Sequence, residues 1–262
     1  MKILITGSTG FVGSHLVSKL KGHDLCLYKR GDAFSGKPDL VYHLAAELHD
    51  VNKMYESNVL FSEKLFHAFP KTKIIYVGSS GEYGITDKPR NEEDECKPVT
   101  LYALTKYMGT KIFQQNKENL ILRPFLLYGE NHHGFFLTII KQVREGKAVE
   151  IWEGKNDWIH VDDFVDALVY FGKIKLPGQI INIGTGVQTT NIKVIKIMEK
   201  YLGKIKIKKH KGQYRQDYSS IWLADTSKAR SLGWSPSIDL EEGLKRMVEE
   251  TGWEFGRKNF LT

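Results

Sequence analysis

The chain has 262 residues, of which 41% are hydrophobic and 26% are charged, and its formal net charge is +7. This length allows one large core, or one core with a smaller attached lobe, and the composition is that of a soluble globular protein and excludes a disordered chain. No apolar stretch reaches the roughly 20 residues that a membrane-spanning helix needs, so the sequence predicts no membrane partner.

Cysteine content and the N-terminal segment indicate the compartment. Cys26 and Cys96 form no CxxC pair and no disulfide framework. This favours a reducing environment and predicts no structural metal. The segment from Met1 to Ile5 leads directly into a glycine-rich turn, so we expect no signal peptide and a cytoplasmic protein. Because the lysines are dispersed, the positive charge favours small phosphate-bearing molecules over nucleic acid as partners.

Strand-like and helix-like patterns alternate along the chain, and this order predicts an α/β fold with a parallel sheet covered on both faces. The predicted strands are Lys2–Thr6, Asp24–Tyr28, Leu40–Leu44, Lys73–Val77, Leu120–Leu122 and Gln179–Ile183. The predicted helices are Gly13–Leu20, Tyr55–Phe69, Leu101–Asn116, Gly134–Glu145, Val161–Phe171, Thr190–Leu202, Thr226–Leu232 and Leu240–Glu249. We expect a main domain over residues 1–128, to which 157–186 returns, and a smaller interleaved C-terminal lobe formed by 129–156 and 187–262.

A glycine-rich turn, TGSTGFVG at residues 6–13, follows the first predicted strand. Gly7 and Gly10 permit a tight turn with a close backbone approach, and Gly13 lets the next helix pack against the strand. The N-terminus of that helix offers N–H groups and a positive dipole end to a pyrophosphate. The motif therefore predicts a Rossmann-type doubly wound sheet that binds a dinucleotide in the main domain.

A tyrosine and a lysine four residues apart, Tyr102 and Lys106, lie on one face of a predicted helix. A free tyrosine is a weak base at neutral pH because its pKa is near 10. We expect the neighbouring ammonium to lower the pKa of Tyr102 and to prepare it for proton transfer. Together with the dinucleotide site, this pair predicts hydride chemistry on an alcohol or a ketone.

With these motifs, the chain resembles the extended branch of the short-chain dehydrogenase/reductase superfamily, which contains nucleotide-sugar epimerases, dehydratases and reductases. The resemblance covers nearly the whole chain. It rests on blocks at residues 6–13, 39–46, 77–84, 102–106, 122–129, 157–168, 181–186 and 224–234, and on Asn58. It implies the fold predicted above, with the smaller lobe holding the substrate, and the family's habit implies a homodimer formed by two helices of each subunit.

The resemblance also implies roles for individual residues. Ser79 would hydrogen-bond the reacting oxygen, Tyr102 would transfer the proton, and Lys106 would also bind the nicotinamide ribose. The other expected cofactor contacts are Gly7, Thr9, Gly10, Phe11, Val12, Gly13, Leu44, Ala45, Ala46, Asn58 and Pro124.

Lys29 and Arg30 directly follow the second predicted strand, at the position where relatives that use NAD have an acid. Two cations there favour the 2′-phosphate of NADP, although a solvated basic loop is the alternative and NAD remains open. Only nine residues separate Arg30 from Leu40, where the family has a further helix and strand. We therefore expect an abbreviated adenine pocket in which Asp32 remains from the family's acidic segment.

The expected substrate contacts are Ser80, Tyr83, His132 and Arg215, the last matching the family's diphosphate-binding arginine. Core packing for Tyr83 and surface exposure for His132 are the alternatives. Dehydratases carry an Asp-Glu pair directly after the serine, where this chain has Ser80 and Gly81. Glu82 lies one residue too late unless the loop is shifted. Dehydration is thus disfavoured.

The pattern as a whole predicts NAD(P)-dependent redox chemistry on a nucleoside-diphosphate sugar, with 4-epimerisation as the first hypothesis. An NADPH-dependent 4-keto-sugar-nucleotide reductase is the second hypothesis. Two others stay open, a dinucleotide-sensing protein without catalysis and a dehydrogenase of a non-nucleotide substrate.

Overall fold

A computed structural model describes residues 1–130, 132, 134–211 and 221–252. Within them, six parallel strands form the central sheet in the order β2-β1-β3-β4-β5-β9. These strands are β1 Lys2–Thr6, β2 Asp24–Tyr28, β3 Leu40–His43, β4 Lys73–Val77, β5 Leu120–Pro124 and β9 Gln179–Ile183. All six predicted strands are confirmed, with ends that differ by one or two residues in β3 and β5. The prediction of a parallel α/β sheet is confirmed with them.

Helices cover both faces of this sheet, and others pack in a separate core outside it. They are α1 Phe11–Lys19, α2 Val51–Tyr55, α3 Phe61–Ala68, α4 Leu101–Phe113, α5 Phe135–Arg144, α6 Val161–Lys173, α7 Asn191–Leu202, α8 Ser227–Ser231 and α9 Leu240–Glu250. A π-helical turn, Glu56–Leu60, joins α2 to α3, and a 3-10 turn, Ser80–Tyr83, follows β4. Among the helices of the described ranges, none has both the length and the hydropathy to cross a membrane.

Five further strands of the described residues lie outside the central sheet. They are β6 Leu126–Tyr128, β7 Val149–Trp152, β8 Lys155–His160, β10 Gln188–Thr190 and β11 Ile207–His210. Strands β10, β8 and β6 form one sheet, and β11 pairs with β7. Three of the four residues of β11 are exposed.

Alternating side chains of β1 explain how one strand serves two cores. Ile3 and Ile5 pack towards α1 and α6, whereas Leu4 packs on the opposite face with α3 and α4. Successive residues of a strand point to opposite faces, so a strand covered on both sides is apolar throughout. A separate core in the smaller lobe joins α5, α7 and α9.

The chain between β2 and β3 is short. Residues 31–39 form neither a helix nor a strand, and β2 is an edge strand of the central sheet. This confirms the prediction that the chain lacks the family's further helix and strand between β2 and β3.

Candidate active site

A cleft of about 1770 Å³ opens at the carboxyl ends of the central strands. The glycine-rich turn after β1, the end of β2, the turn after β4, the start of α4 and the segment after β5 line it. Ligands of open α/β sheets bind at this edge, where the order of the strands reverses. The cleft is therefore the candidate active site.

Backbone packing at the glycine-rich turn leaves no room for side chains. Gly7 has a φ of +72°, and a Cβ atom there would lie 2.7 Å from the backbone nitrogen of Ala45. A Cβ atom on Gly13 would lie 2.0 Å from the carbonyl oxygen of Gly7. No side chain caps the N-terminus of α1, which faces this turn. The turn thus fits a pyrophosphate held by backbone N–H groups.

Most of the predicted cofactor contacts lie at the cleft. The cleft-lining residues include Gly7, Thr9, Gly10, Phe11, Val12, Gly13, Lys29, Arg30, Leu44, Ala45, Ala46, Tyr102, Lys106 and Pro124. Asn58 differs from them. Its side chain is buried, accepts a hydrogen bond from the Glu47 backbone nitrogen at 2.7 Å and donates to the Thr105 hydroxyl at 3.0 Å. Its predicted direct contact is therefore corrected to a supporting role behind the cleft wall.

The three residues expected to carry the chemistry converge on the cleft. Ser79 precedes the 3-10 turn, and its hydroxyl accepts a hydrogen bond from the Gly81 backbone nitrogen at 3.1 Å. Tyr102 and Lys106 lie one turn apart on α4, which begins where the Thr100 hydroxyl accepts from the Ala103 nitrogen. The Lys106 ammonium lies 4.3 Å from the centre of the Tyr76 ring, a cation–π contact. Ser79, Tyr102, Lys106 and the glycine-rich turn thus line one cleft.

The protonation of this pair differs from the sequence prediction. Desolvation raises the pKa of Tyr102 to about 12, Glu82 acts in the same direction, and a hydrogen bond with Ser79 opposes both. Burial lowers the pKa of Lys106 to about 8, against the effect of Glu82. The expected lowering of the Tyr102 pKa is therefore wrong for this structure, because desolvation and Glu82 dominate. Tyr102 holds its proton at neutral pH.

Cations line the part of the cleft at the end of β2, which is the expected adenosine end. Lys29 and Arg30 line it there, and Lys53 of α2 and Lys64 of α3 also line the cleft. Asp32 lies among them, and its carboxylate accepts a hydrogen bond from the Lys29 backbone nitrogen at 3.0 Å. The carboxylates of Asp32 and Glu56 as well as several cations thus line the cleft.

Only some of the predicted substrate contacts lie at the cleft. Ser80 and His132 line the cleft, where the His132 ring stacks on Phe11 at 4.5 Å. Tyr83 is only 1% exposed, and its hydroxyl donates to Asn182 at 2.8 Å. The prediction of a sugar contact by Tyr83 is corrected to core packing, since Arg123 and Asn182 hold the ring inside the protein. Arg215 lies outside the described residues.

Trp222 is a cleft-lining residue that the sequence did not reveal. Its segment is placed by contacts with distant residues, since the Trp222 carbonyl accepts from the Asp157 nitrogen at 2.8 Å. The Asp157 side chain in turn accepts hydrogen bonds from Thr185 and Ala224. No local motif signals such a contact.

A group of potential metal ligands, Glu130, His160 and Asp162, lies beside the cleft. His160 Nδ1 accepts a hydrogen bond from the Asp162 backbone nitrogen at 3.2 Å. A neutral ring then carries its proton on Nε2, which faces Glu130 at 3.2 Å. Asp162 also pairs with His15 on α1 at 2.9 Å. These contacts join α1 to α6 and suit a structural role.

Comparison with known proteins identifies this architecture. The model of the NAD dependent epimerase/dehydratase family matches residues 3–184. The UDP-glucose 4-epimerase of Mycolicibacterium smegmatis is 25% identical, with 95% of this chain and 98% of that protein covered. MoeE5, solved in complex with UDP-glucose and NAD, superposes with a TM-score of 0.85 at 25% identity over 96% of this chain and 99% of that one.

A second solved structure is the UDP-glucuronic acid 4-epimerase of Bacillus cereus in complex with UDP-glucuronic acid and NAD. It superposes with a TM-score of 0.81 at 25% identity and covers 95% of this chain and 98% of its own. The matched region contains the glycine-rich turn, Ser79, Tyr102 and Lys106. The chain therefore belongs to the NAD dependent epimerase/dehydratase family, in the extended branch of the short-chain dehydrogenase/reductase superfamily.

Proposed function

We propose that this chain is a 4-epimerase of a nucleoside-diphosphate sugar that works with a bound dinucleotide. The observation that carries the proposal is the convergence of Ser79, Tyr102 and Lys106 on the cleft that also contains the pyrophosphate turn. The 4-epimerases among its relatives and structural neighbours support the choice of reaction.

In the proposed reaction Tyr102, Ser79 and Lys106 each have a separate role. Tyr102 takes the proton of the C4 hydroxyl and returns it to the C4 oxygen after the keto sugar has turned within the cleft to present its other face, and Ser79 hydrogen-bonds the reacting oxygen. The dinucleotide supplies a reversible hydride acceptor and, when oxidised, a positive charge that favours the Tyr102 phenolate. Lys106 holds a positive charge beside this phenol and binds the ribose.

The turn after β4 presents no carboxylate to the cleft that could act as the acid of an elimination. Ser80 and Gly81 occupy the positions after Ser79, and Glu82 is fully buried and bonded to Arg123 at 2.8 Å. A shifted loop that would present Glu82 to the sugar does not occur in the structure. This supports epimerisation or reduction over dehydration.

A reductase that exchanges NADPH is the second candidate, and the cations at the adenosine end favour it. The decisive experiment is to denature the purified protein and identify the released nucleotide by absorbance and mass. Stoichiometric NAD supports the epimerase, because its cofactor is recycled in place. Loosely held NADP, together with reduction of a 4-keto sugar nucleotide by NADPH, supports the reductase and overturns the first proposal.

Replacing Arg30 by alanine tests the proposed preference for NADP. We expect the Kd for NADP to rise about tenfold and the Kd for NAD to stay within about twofold, because only NADP offers a 2′-phosphate to the guanidinium. Isothermal titration calorimetry with both nucleotides measures this, with the exposed Lys71→Ala as the control. Equal changes for the two nucleotides would contradict the preference.

We also propose that the protein is a homodimer through α2 and α4. Val51, Tyr55, Leu101 and Leu104 are between 43% and 58% exposed on these adjacent helices. An apolar surface of this kind marks an interaction site, and the family's habit supplies the partner as a second copy.

Leu104→Glu is expected to convert the dimer into a 30.0 kDa monomer, because a charge would be buried in the interface. Light scattering coupled to gel filtration measures the mass, and Ile207→Glu on β11 is the control because it also adds a charge at an exposed apolar position. A monomeric wild type, or a dimeric Leu104→Glu protein, would count against this interface.

A further inference from the structure

The carboxylate of Glu82 lies behind the cleft wall and is fully buried. One oxygen accepts a hydrogen bond from the Ser79 backbone nitrogen at 2.8 Å. The other oxygen accepts from the Thr110 hydroxyl at 2.9 Å and from Arg123 Nε at 2.9 Å and Nη2 at 2.8 Å. A single side chain therefore ties the turn after β4 to α4 and to β5.

The residues tied by Glu82 are those that set the geometry of the proposed reaction. Tyr102, Lys106 and Thr110 are spaced four residues apart on α4 and share one face of the helix. Ser79 is fixed in turn, because its backbone donates to Glu82 and its hydroxyl accepts from the Gly81 nitrogen. Glu82 thus connects Ser79 with the helix face that carries Tyr102 and Lys106.

Space for this carboxylate is built into the turn. A Cβ atom on Gly78 would lie 2.6 Å from Glu82 Oε1, so only glycine leaves room for the side chain there. Burying an ion pair is costly in desolvation, and apolar pairs of similar volume are often as stable or more stable. Stability alone is therefore a weak reason for the Glu82–Arg123 pair at this place.

We propose that Glu82 is a positioning residue that locks Ser79 to the helix face of Tyr102 and Lys106 and holds a buried negative charge behind that pair. The catalytic roles of those three residues rest on the proposed function. By its sequence position Glu82 lies one residue too late to act in the cleft unless the loop is shifted, and in the structure its side chain is turned inward.

Glu82 also contributes a negative charge to the surroundings of Tyr102 and Lys106. The charged and titratable groups around the pair are Glu82 from the turn, Tyr76 from β4, Arg123 from β5 and His43 from β3. Among them, Glu82 raises the pKa of both Tyr102 and Lys106. Burial lowers the pKa of His43 to about 3, so this imidazole stays neutral and Glu82 is the anion of the group.

Glu82→Gln removes the charge and keeps the shape of the side chain. We expect the pKa of Lys106 to fall by roughly one pH unit, because an attractive charge has been lost. The Lys106 titration is followed through its ¹³Cε resonance in ¹³C-lysine-labelled protein without substrate, and the resonance is assigned by its loss in Lys106→Met. We also expect kcat to fall about 10- to 100-fold with KM within about twofold, since Ser79 is displaced but substrate contacts remain.

Two further variants separate positioning from stability. Asp163→Asn is the matched control, because Asp163 is also a buried carboxylate and binds the backbone of Ser237 and Ile238 far from Tyr102. It is expected to lower Tm without moving the Lys106 titration. If Glu82→Gln does not fold, the double variant Glu82→Leu/Arg123→Met removes both charges at similar volume and is expected to fold and to show the same fall of the Lys106 pKa.

The outcomes distinguish this inference from the proposed function. An unchanged Lys106 titration in the folded Glu82 variant overturns the inference even if the protein is an epimerase. An unchanged kcat overturns the positioning role. If wild-type protein turns over no nucleotide sugar, the proposed function fails, and the substrate-free titration still decides whether Glu82 sets the charge of Lys106.

Discussion

Tyr102→Phe is expected to reduce epimerase turnover by about 10³-fold while the dinucleotide stays bound, because the substitution removes the group that transfers the proton. The ring remains at the cleft wall, and so the shape of the site is preserved. Turnover is measured by coupled assay of the product sugar nucleotide, and cofactor occupancy by absorbance after denaturation.

Tyr107→Phe is the matched control for this variant. Tyr107 lies on the same helix but does not line the cleft, and its ring contacts the Lys111 ammonium at 5.1 Å. If Tyr102→Phe loses no more activity than Tyr107→Phe, Tyr102 is not the proton-transfer group. Absence of turnover in the wild type as well as in both variants, with dinucleotide still bound, would favour the dinucleotide-sensing hypothesis.

The protonation of Tyr102 is expected to make the rate of sugar oxidation depend on pH. Its pKa of about 12 keeps the phenol protonated at neutral pH, and removal of a proton from the sugar needs the phenolate. Oxidation of the sugar is therefore expected to become faster as the pH rises, and cofactor binding is expected to lower the pH at which this rise begins.

Gly13→Ala has the second-largest expected effect, at least a 100-fold rise in the Kd for the dinucleotide. The added Cβ atom would lie 2.0 Å from the Gly7 carbonyl oxygen and 2.8 Å from its carbon. Helix α1 must then move away from the turn, which displaces the N–H groups that face the pyrophosphate. The crowding also lowers the free energy of unfolding by roughly 1–3 kcal/mol.

Ser18→Ala provides the comparison, since Ser18 is an exposed residue of the same helix and makes no contact with the turn. Fluorescence titration measures dinucleotide affinity, and thermal unfolding shows that each variant is folded. Wild-type affinity in a folded Gly13→Ala protein would mean that the pyrophosphate does not bind at this turn.

The central fold was predictable because most of its strands are buried on both faces. Lys2–Thr6 and Lys73–Val77 are short, mostly apolar segments followed by glycine, and the structure places them where that pattern indicates. The strands outside the central sheet could not be predicted from such a pattern. β6 and β10 have only three residues each, and both are extended because they pair with β8.

The site was predictable where residue spacing alone determines geometry. Tyr102 and Lys106 share a helix face because they are four residues apart, and the glycine turn follows its strand directly. The directions of Tyr83 and Glu82 depend instead on Arg123, which is about 40 residues further along the chain. For the same reason the sequence could not predict the raised pKa of Tyr102, which depends on desolvation and on that buried carboxylate.

The most direct test of the central claim uses UDP-glucose and UDP-glucuronic acid deuterated at C4. Each is incubated with the protein, and no NAD or NADP is added. The account predicts the C4 epimer with its deuterium retained at C4, because the hydride leaves and returns within one cleft. An epimer that has lost deuterium to solvent would show proton exchange at carbon and would contradict the account. Release of a product altered at C5 or C6 would contradict it as well.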